Sequence, residues 1–391
     1  MTRRIVTAGA GLVLALNALI VLTPSANSSA PAAAAVASCA ATAGAPVIPS
    51  ASWGQQRMGA ERAWSRTTGE VTVAVIDTGV SARTDSLRGA VLAGSDLSGG
   101  RGDTDCFGRG TFIASLIAGR AVEGTDFVGV APGASILPIR LTDDPEDSEF
   151  EKKLPQLLAS AISTATNAGA RVIVTPFATL VADGTLRQAV DAAMAKDVLI
   201  VAPAAESEGK PVFPAQWNGV VSVAPITDKG GLLPTELGAP PDLAAPSSGL
   251  VGAVPDGPGH IEGTDLSLAV AYVAASAALV MDAYPEMTAQ EVAQRLVDTA
   301  DRSTAASDPD AVRDPSIGYG VVNPLAAVTR LALDTEVQPE PAVTTLALAP
   351  APDERPFNLA LAVGLGSLAV AAVAIGPTVG VVLSRRKRVV E

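Results

Sequence analysis

The chain has 391 residues, room for one large domain with signals at either end. Apolar residues make up 48% of it and aromatic ones only 3%, so its core must be built from Ala, Val, Leu and Ile, as in an α/β sheet with closely packed helices. Its 27 Lys and Arg against 40 Asp and Glu leave a net charge of −13, a balance without the basic footprint that nucleic-acid binding needs, which excludes that partner.

Residues 1–37 read as an export signal followed by a disordered stretch. Arg3 and Arg4 give a short cationic start, residues 8–22 an apolar core, and small residues follow in an Ala/Ser/Pro-rich run. An uncleaved anchor is the alternative. Residues 38–333 form the domain. Within it the pattern predicts strands at 71–77, 134–141, 170–176, 198–202 and 220–224. Helices are expected at 110–118, 154–168, 186–196 and 289–300. Thr288 and Glu291 make a capping box for the last of these. This alternation predicts a mostly parallel sheet covered on both faces, with its site beyond the carboxyl ends of the strands, where Asp77 stands.

The stretch 263–280 is the centre of the chain. It opens with Gly263-Thr264-Asp265 and then runs apolar nearly all round, the signature of a helix buried in the middle of a domain. Asp265 is expected in its first turn, where the helix dipole tolerates a carboxylate, and Thr264 as its cap.

Repeated Pro and several acids at 334–356 predict a stiff, extended linker. Residues 359–383 are apolar without a charge, long enough for one transmembrane helix, assigned to 357–384. Residues 385–391, which begin Arg385-Arg386-Lys387-Arg388, are then a cytoplasmic basic tail, with the domain outside the membrane. Export puts Cys39 and Cys106 in an oxidising space, where an even count favours a disulfide between them over two free thiols.

Several motifs make the chain resemble the subtilisin-like serine proteases over about residues 53–328. Val75-Ile76-Asp77-Thr78-Gly79-Val80 is similar to the family's catalytic aspartate motif. Gly108-Arg109-Gly110-Thr111 is similar to its Gly-His-Gly-Thr motif, with Arg109 at the histidine. Gly263-Thr264-Asp265 resembles the nucleophile motif, with Asp265 at the serine, and Glu206 follows a strand that resembles the one ending in the oxyanion-hole asparagine. Val128–Ala134, Pro241–Pro246 and Gly318–Pro324 also resemble family segments. The resemblance implies a subtilisin-like three-layer fold. Signal, cysteine-tied extension, Pro-rich linker and C-terminal anchor together resemble the mycosin branch. That likeness implies a membrane-anchored component of a type VII secretion system, with the membrane and other proteins of that complex as partners.

The chemistry at these positions opposes catalysis. Serine attack needs a neutral base beside the nucleophile. Arg109 cannot accept a proton, Asp265 has no hydroxyl, and Glu206 puts negative charge where an oxyanion needs a donor. Only Asp77 is retained. The expectation is therefore a pseudoprotease with no cofactor and no metal, in which Arg109 bridges Asp77 and Asp265 as an ion triad. The alternative is an active endopeptidase, serine-type through substitute residues or acid-type through Asp77, Asp265 and Glu206. Candidate substitutes are weak. His260, the only histidine, reads as a solvent-exposed loop residue, and Ser267 should point away from the cleft. Pro176 lacks the amide a strand needs to pair with a peptide. The acids between Asp143 and Glu151 fit no calcium loop and read as a solvated loop.

Overall fold

The computed structural model describes residues 45–97, 99–205, 209–302, 313–330 and 359–370. The chain divides into two compact units, Met1–Leu331 and Ala332–Glu391.

In the first unit the elements run, in chain order, α1 (Trp53–Met58), β1 (Thr72–Asp77), β2 (Ser95–Asp96), α2 (Arg109–Ala118), β3 (Ser135–Arg140), α3 (Ser148–Asn167), β4 (Val172–Val174) and α4 (Gly184–Met194). Then come β5 (Leu199–Pro203), β6 (Val220–Ile226), β7 (Leu243–Pro246), β8 (Leu250–Ala253), β9 (His260–Gly263), α5 (Ala269–Ala283), α6 (Ala289–Asp298) and α7 (Pro324–Thr329). Seven strands form one sheet in the order β2-β3-β1-β4-β5-β6-β7, and every pairing in it is parallel. Strands β8 and β9 make a separate antiparallel hairpin.

The strands are apolar throughout because both faces of the sheet are covered. Along β1, Val73 and Val75 enter the core shared with α2, α5, α6 and α7, while Ala74 and Ile76 enter the core shared with α3 and α4. Three layers result, as expected. Helix α5 is buried at every position from Ala269 to Met281, which accounts for a helix with no polar face. Its abundant alanines let the sheet and three other helices approach it closely. Strand order reverses around β1 and β4, so the crevice of this sheet opens beyond their carboxyl ends, beside Asp77.

Some boundaries differ from the sequence reading. Helix α3 starts at Ser148, six residues before the expected 154, because Asp147 caps it by accepting from the Glu149 amide. Glu149 and Glu151 thus lie in its first turn, where the dipole favours them, rather than in a loop. Strand β4 stops at Val174, before Pro176. Helix α5 begins at Ala269, so Asp265 precedes it instead of occupying its first turn.

In the second unit, residues 359–370 are helical, and their side chains are exposed. Among the described residues no helix is long and apolar enough to cross a membrane. Most of the expected span at 357–384, the linker 334–356, the tail 385–391 and the signal stretch 1–37 lie outside the described residues.

Candidate functional site: a buried ion pair at the end of β1

Asp77 ends β1 with its side chain fully buried, and Oδ1 accepts a hydrogen bond from the Thr78 amide at 2.8 Å. Arg109, the first residue of α2, reaches it from 32 residues further along the chain. Its Nη2 donates to Asp77 Oδ1 at 2.9 Å, and its Nε donates to Oδ1 at 3.1 Å and Oδ2 at 3.3 Å. The guanidinium carbon lies 4.4 Å from the centroid of the Phe177 ring, a cation–π contact. Phe177 in turn rests on Phe150, with centroids 5.1 Å apart. Arg109 therefore contacts both a carboxylate and an aromatic face, with 18% of its side chain exposed.

Two local features bring α2 so close to β1. Gly108 has φ of 100°, a left-handed conformation that a side chain would strain, and it turns the chain into the helix. A Cβ on Gly110 would sit 1.9 Å from the Gly79 carbonyl oxygen, so only glycine allows this contact. A second buried carboxylate fixes the turn. Asp105 accepts from the Gly108 amide (2.7 Å), the Thr111 amide (2.8 Å), the Thr111 hydroxyl (2.7 Å) and the Thr78 hydroxyl (2.9 Å). It does for α2 what a capping side chain does, satisfying amides with no partner inside the helix.

Three charged groups thus share one buried region. Burial pushes the Asp77 carboxyl above the usual range, and Arg109 and the Thr78 amide pull it part of the way back. Burial also disfavours charge on Arg109, but attraction to Asp77, and then to Asp265 and Asp105, outweighs it and holds the guanidinium protonated. Burial raises Asp105 to about 6, against the four hydrogen bonds it accepts.

The expected ion triad is corrected to an ion pair. Arg109 has no carboxylate but Asp77 within ion-pair distance among the described residues. Asp265 is exposed and spends its Oδ1 locally, accepting from the Ser267 amide at 2.8 Å and the Ser267 hydroxyl at 2.5 Å. The physical reason is the late start of α5: Asp265 lies in a free turn, where an aspartate folds back on the amide two residues ahead. Thr264 does not cap the helix either; its hydroxyl accepts from the Gly249 amide at 2.8 Å. The cap comes from Ser247, whose Oγ accepts from the Ala269 amide at 3.0 Å and donates to the Asp265 carbonyl at 2.6 Å.

His260 is likewise corrected. It is 2% exposed, in β9, with its ring tilted against Phe127 at 5.0 Å. Nδ1 accepts from the Ile48 amide at 3.3 Å, and the His260 amide donates to the Pro46 carbonyl at 2.9 Å. Burial lowers its pKa. It fastens the chain's N-terminal extension to the domain. Glu206 and Cys39 lie outside the described residues, and Cys106 is not a free thiol. No cluster of potential metal ligands occurs among the described residues, and Asp143 pairs with Arg140.

Asp105, Phe177 and Ser247 escaped the sequence reading. Asp105 carried a usable signal, an acid three residues before the glycine that opens a helix. Phe177 and Ser247 carried none, since each acts across the fold.

An all-parallel sheet with a buried Asp at the end of β1, facing the start of a helix and flanked by a buried small-residue helix, defines the class. The model of the subtilase family of peptidases matches residues 68–320, and the chain belongs to that family. Within it, the chain falls on the mycosin branch. It is 31% identical to Mycosin-1 of Mycobacterium tuberculosis (strain ATCC 25618 / H37Rv) over 392 residues, covering 81% of this chain and 84% of the relative. The solved structure of MycP1, described as a serine protease and an essential component of the type VII (ESX-1) secretion system, matches with a TM-score of 0.63 at 27% identity, over 73% of this chain and 90% of that one. A chain in the intact ESX-5 inner membrane complex matches with a TM-score of 0.63 at 26% identity, over 84% of this chain and 90% of that one.

Proposed function

We propose that this chain is an exported, membrane-anchored and catalytically inactive subtilase that serves as a structural component of a type VII secretion complex. One observation carries the inactivity: the Arg109 guanidinium donates to Asp77, where a protease of this family needs a neutral base. A guanidinium cannot take a proton from a nucleophile, and Asp265 offers no hydroxyl to attack with. Without base and nucleophile, the family's acyl-transfer chemistry has no first step.

The place in a secretion complex is supported by likeness to a protease described as an essential component of such a system and to a chain within an intact inner membrane complex. The topology rests on sequence: an export signal at 1–37, an apolar run at 359–383 and four adjacent cations after it. A Cys39–Cys106 disulfide belongs to the same reading, and Cys106 being unfree supports it.

The full chain, purified from membranes, should show no labelling by a fluorophosphonate probe and should bring membrane proteins of a secretion complex with it. Labelling abolished by prior inhibition would favour the active-peptidase alternative. Purification as a lone chain from intact membranes would remove the structural role.

A further inference from the structure

The first unit ends immediately after α7, a helix of six residues. A helix that short has no stability of its own, and its last carbonyls have no amide partners within it. Other elements supply what is missing at both ends. Asn323 caps the start, accepting from the Ala326 amide at 2.9 Å while its own Nδ2 donates to Asp301 at 2.8 Å. At the end, Arg295 from α6 donates through Nε to the Ala327 carbonyl at 2.5 Å and through Nη2 to the Arg330 carbonyl at 2.5 Å. The Tyr284 hydroxyl, just past α5, donates to the Val328 carbonyl at 2.5 Å. The two side chains also hold each other: Arg295 Nη2 donates to the Tyr284 hydroxyl at 3.1 Å, and its guanidinium carbon lies 4.4 Å from the ring centroid.

Arg295 is 9% exposed and has no carboxylate partner among the described residues. A buried guanidinium is costly unless its donors are used. Here they are used on the negative end of a helix, where a cation is favoured. We infer that Arg295 and Tyr284 form a clamp that fixes the point where the chain leaves the folded unit for its C-terminal tether, so that a pull on the tether meets α5 and α6 before it can peel α7 away. The clamp's use as a tether mount rests on the membrane-anchored reading; its existence as a locally protective contact does not.

The test is hydrogen exchange on the full chain in membranes. Tyr284→Phe keeps the ring and removes one donor; Arg295→Met keeps length and removes the rest. Each should speed exchange at residues 325–330 by about tenfold, the weight of one net hydrogen bond or more. Exchange in β1 and β5 should stay unchanged in Tyr284→Phe, and Arg295→Lys should fall between Arg295→Met and the parent. Unchanged exchange at 325–330 in Tyr284→Phe, or acceleration spread evenly over the domain, would overturn the clamp, even where Arg295→Met fails to fold. Recovery of the parent chain in the soluble fraction would instead overturn the tether, and the exchange pattern would still decide the clamp.

Discussion

Arg109 and Asp265 stand where the resemblance puts the base and the nucleophile of an active subtilase, and the fold treats them in opposite ways. Arg109 pairs with a fully buried carboxylate at the end of β1, so its charge is held at the core by contacts to Asp77 and Phe177. Asp265 is exposed in a turn and satisfies itself within two residues. A change at a buried position must be matched by its surroundings, because an unpaired buried charge costs several kcal/mol. At an exposed turn, water and a nearby amide suffice. Arg109 is therefore a structural element, while Asp265 belongs to an ordinary turn.

The sharpest way to break this contrast is Arg109→Ala. It leaves Asp77 buried and unpaired, and should cost about 3–5 kcal/mol by urea unfolding at pH 7. The sign with pH follows from Asp77. Its folded pKa already lies above 3.8 through burial, and loss of the cation raises it further. Stability from such a group is present below the unfolded value and lost as pH rises through the folded one. The deficit of Arg109→Ala should therefore be largest at neutral pH and shrink toward pH 4. A cost below about 1 kcal/mol at pH 7 would mean that Arg109 is no more than a surface ion pair.

Asp105 gives the next largest effect. Its carboxyl is raised from 3.8 to about 6 by burial, so its contribution is complete below pH 3.8 and is lost as pH climbs through about 6. At 1.36 kcal/mol per pKa unit, that span corresponds to about 3 kcal/mol. Asp105→Asn should flatten the dependence of unfolding free energy on pH between 4 and 7. A profile unchanged in slope would show that the four donors around Asp105 hold it ionised in spite of burial.

Much of this was legible in the sequence, and the parts that were not have a common cause. Strand β1, the all-round burial of helix α5 and the capping box at Thr288 and Glu291 are written in local patterns, and the structure has all three. The Arg109–Asp77 half of the site followed from the family motifs. The other half failed because the start of α5 is set from a distance: Ser247, 22 residues away, caps Ala269, and nothing near Asp265 reports it. His260 failed for the same reason. Its Gly/Pro-rich neighbours read as a loop, whereas its burial comes from Phe127 and from Ile48, 212 residues before it.

Asp265→Ala tests the exposed side of the contrast. It removes two short-range hydrogen bonds at an accessible turn and no ion pair. The expected loss is about 0.5–1 kcal/mol. In a double-mutant cycle, Arg109 and Asp265 should couple by less than about 0.5 kcal/mol, as groups that make no direct contact and attract only through a solvent-exposed charge do. A coupling above about 2 kcal/mol would restore the ion triad.

The smallest expected effect is on activity. Arg109→His with Asp265→Ser restores base and nucleophile by name, yet the pair should hydrolyse no peptide substrate above background. A serine at 265 inherits a turn in which the Ser267 amide and hydroxyl already point at residue 265, so its hydroxyl has a local acceptor and donor to engage instead of a histidine. Strand β4 ends at Val174, and Pro176 beyond it has no amide to pair with a peptide. Phe177, which now covers the guanidinium, would lie against the new imidazole. Glu206, by the resemblance, still sets a negative charge where the oxyanion forms. Each defect acts on a different step, so repairing two of them leaves the others in force. Turnover by the double variant, assayed with a chromogenic peptide and a fluorophosphonate probe, would show that the cleft has kept its substrate-binding geometry and that these two side chains alone stand between it and catalysis.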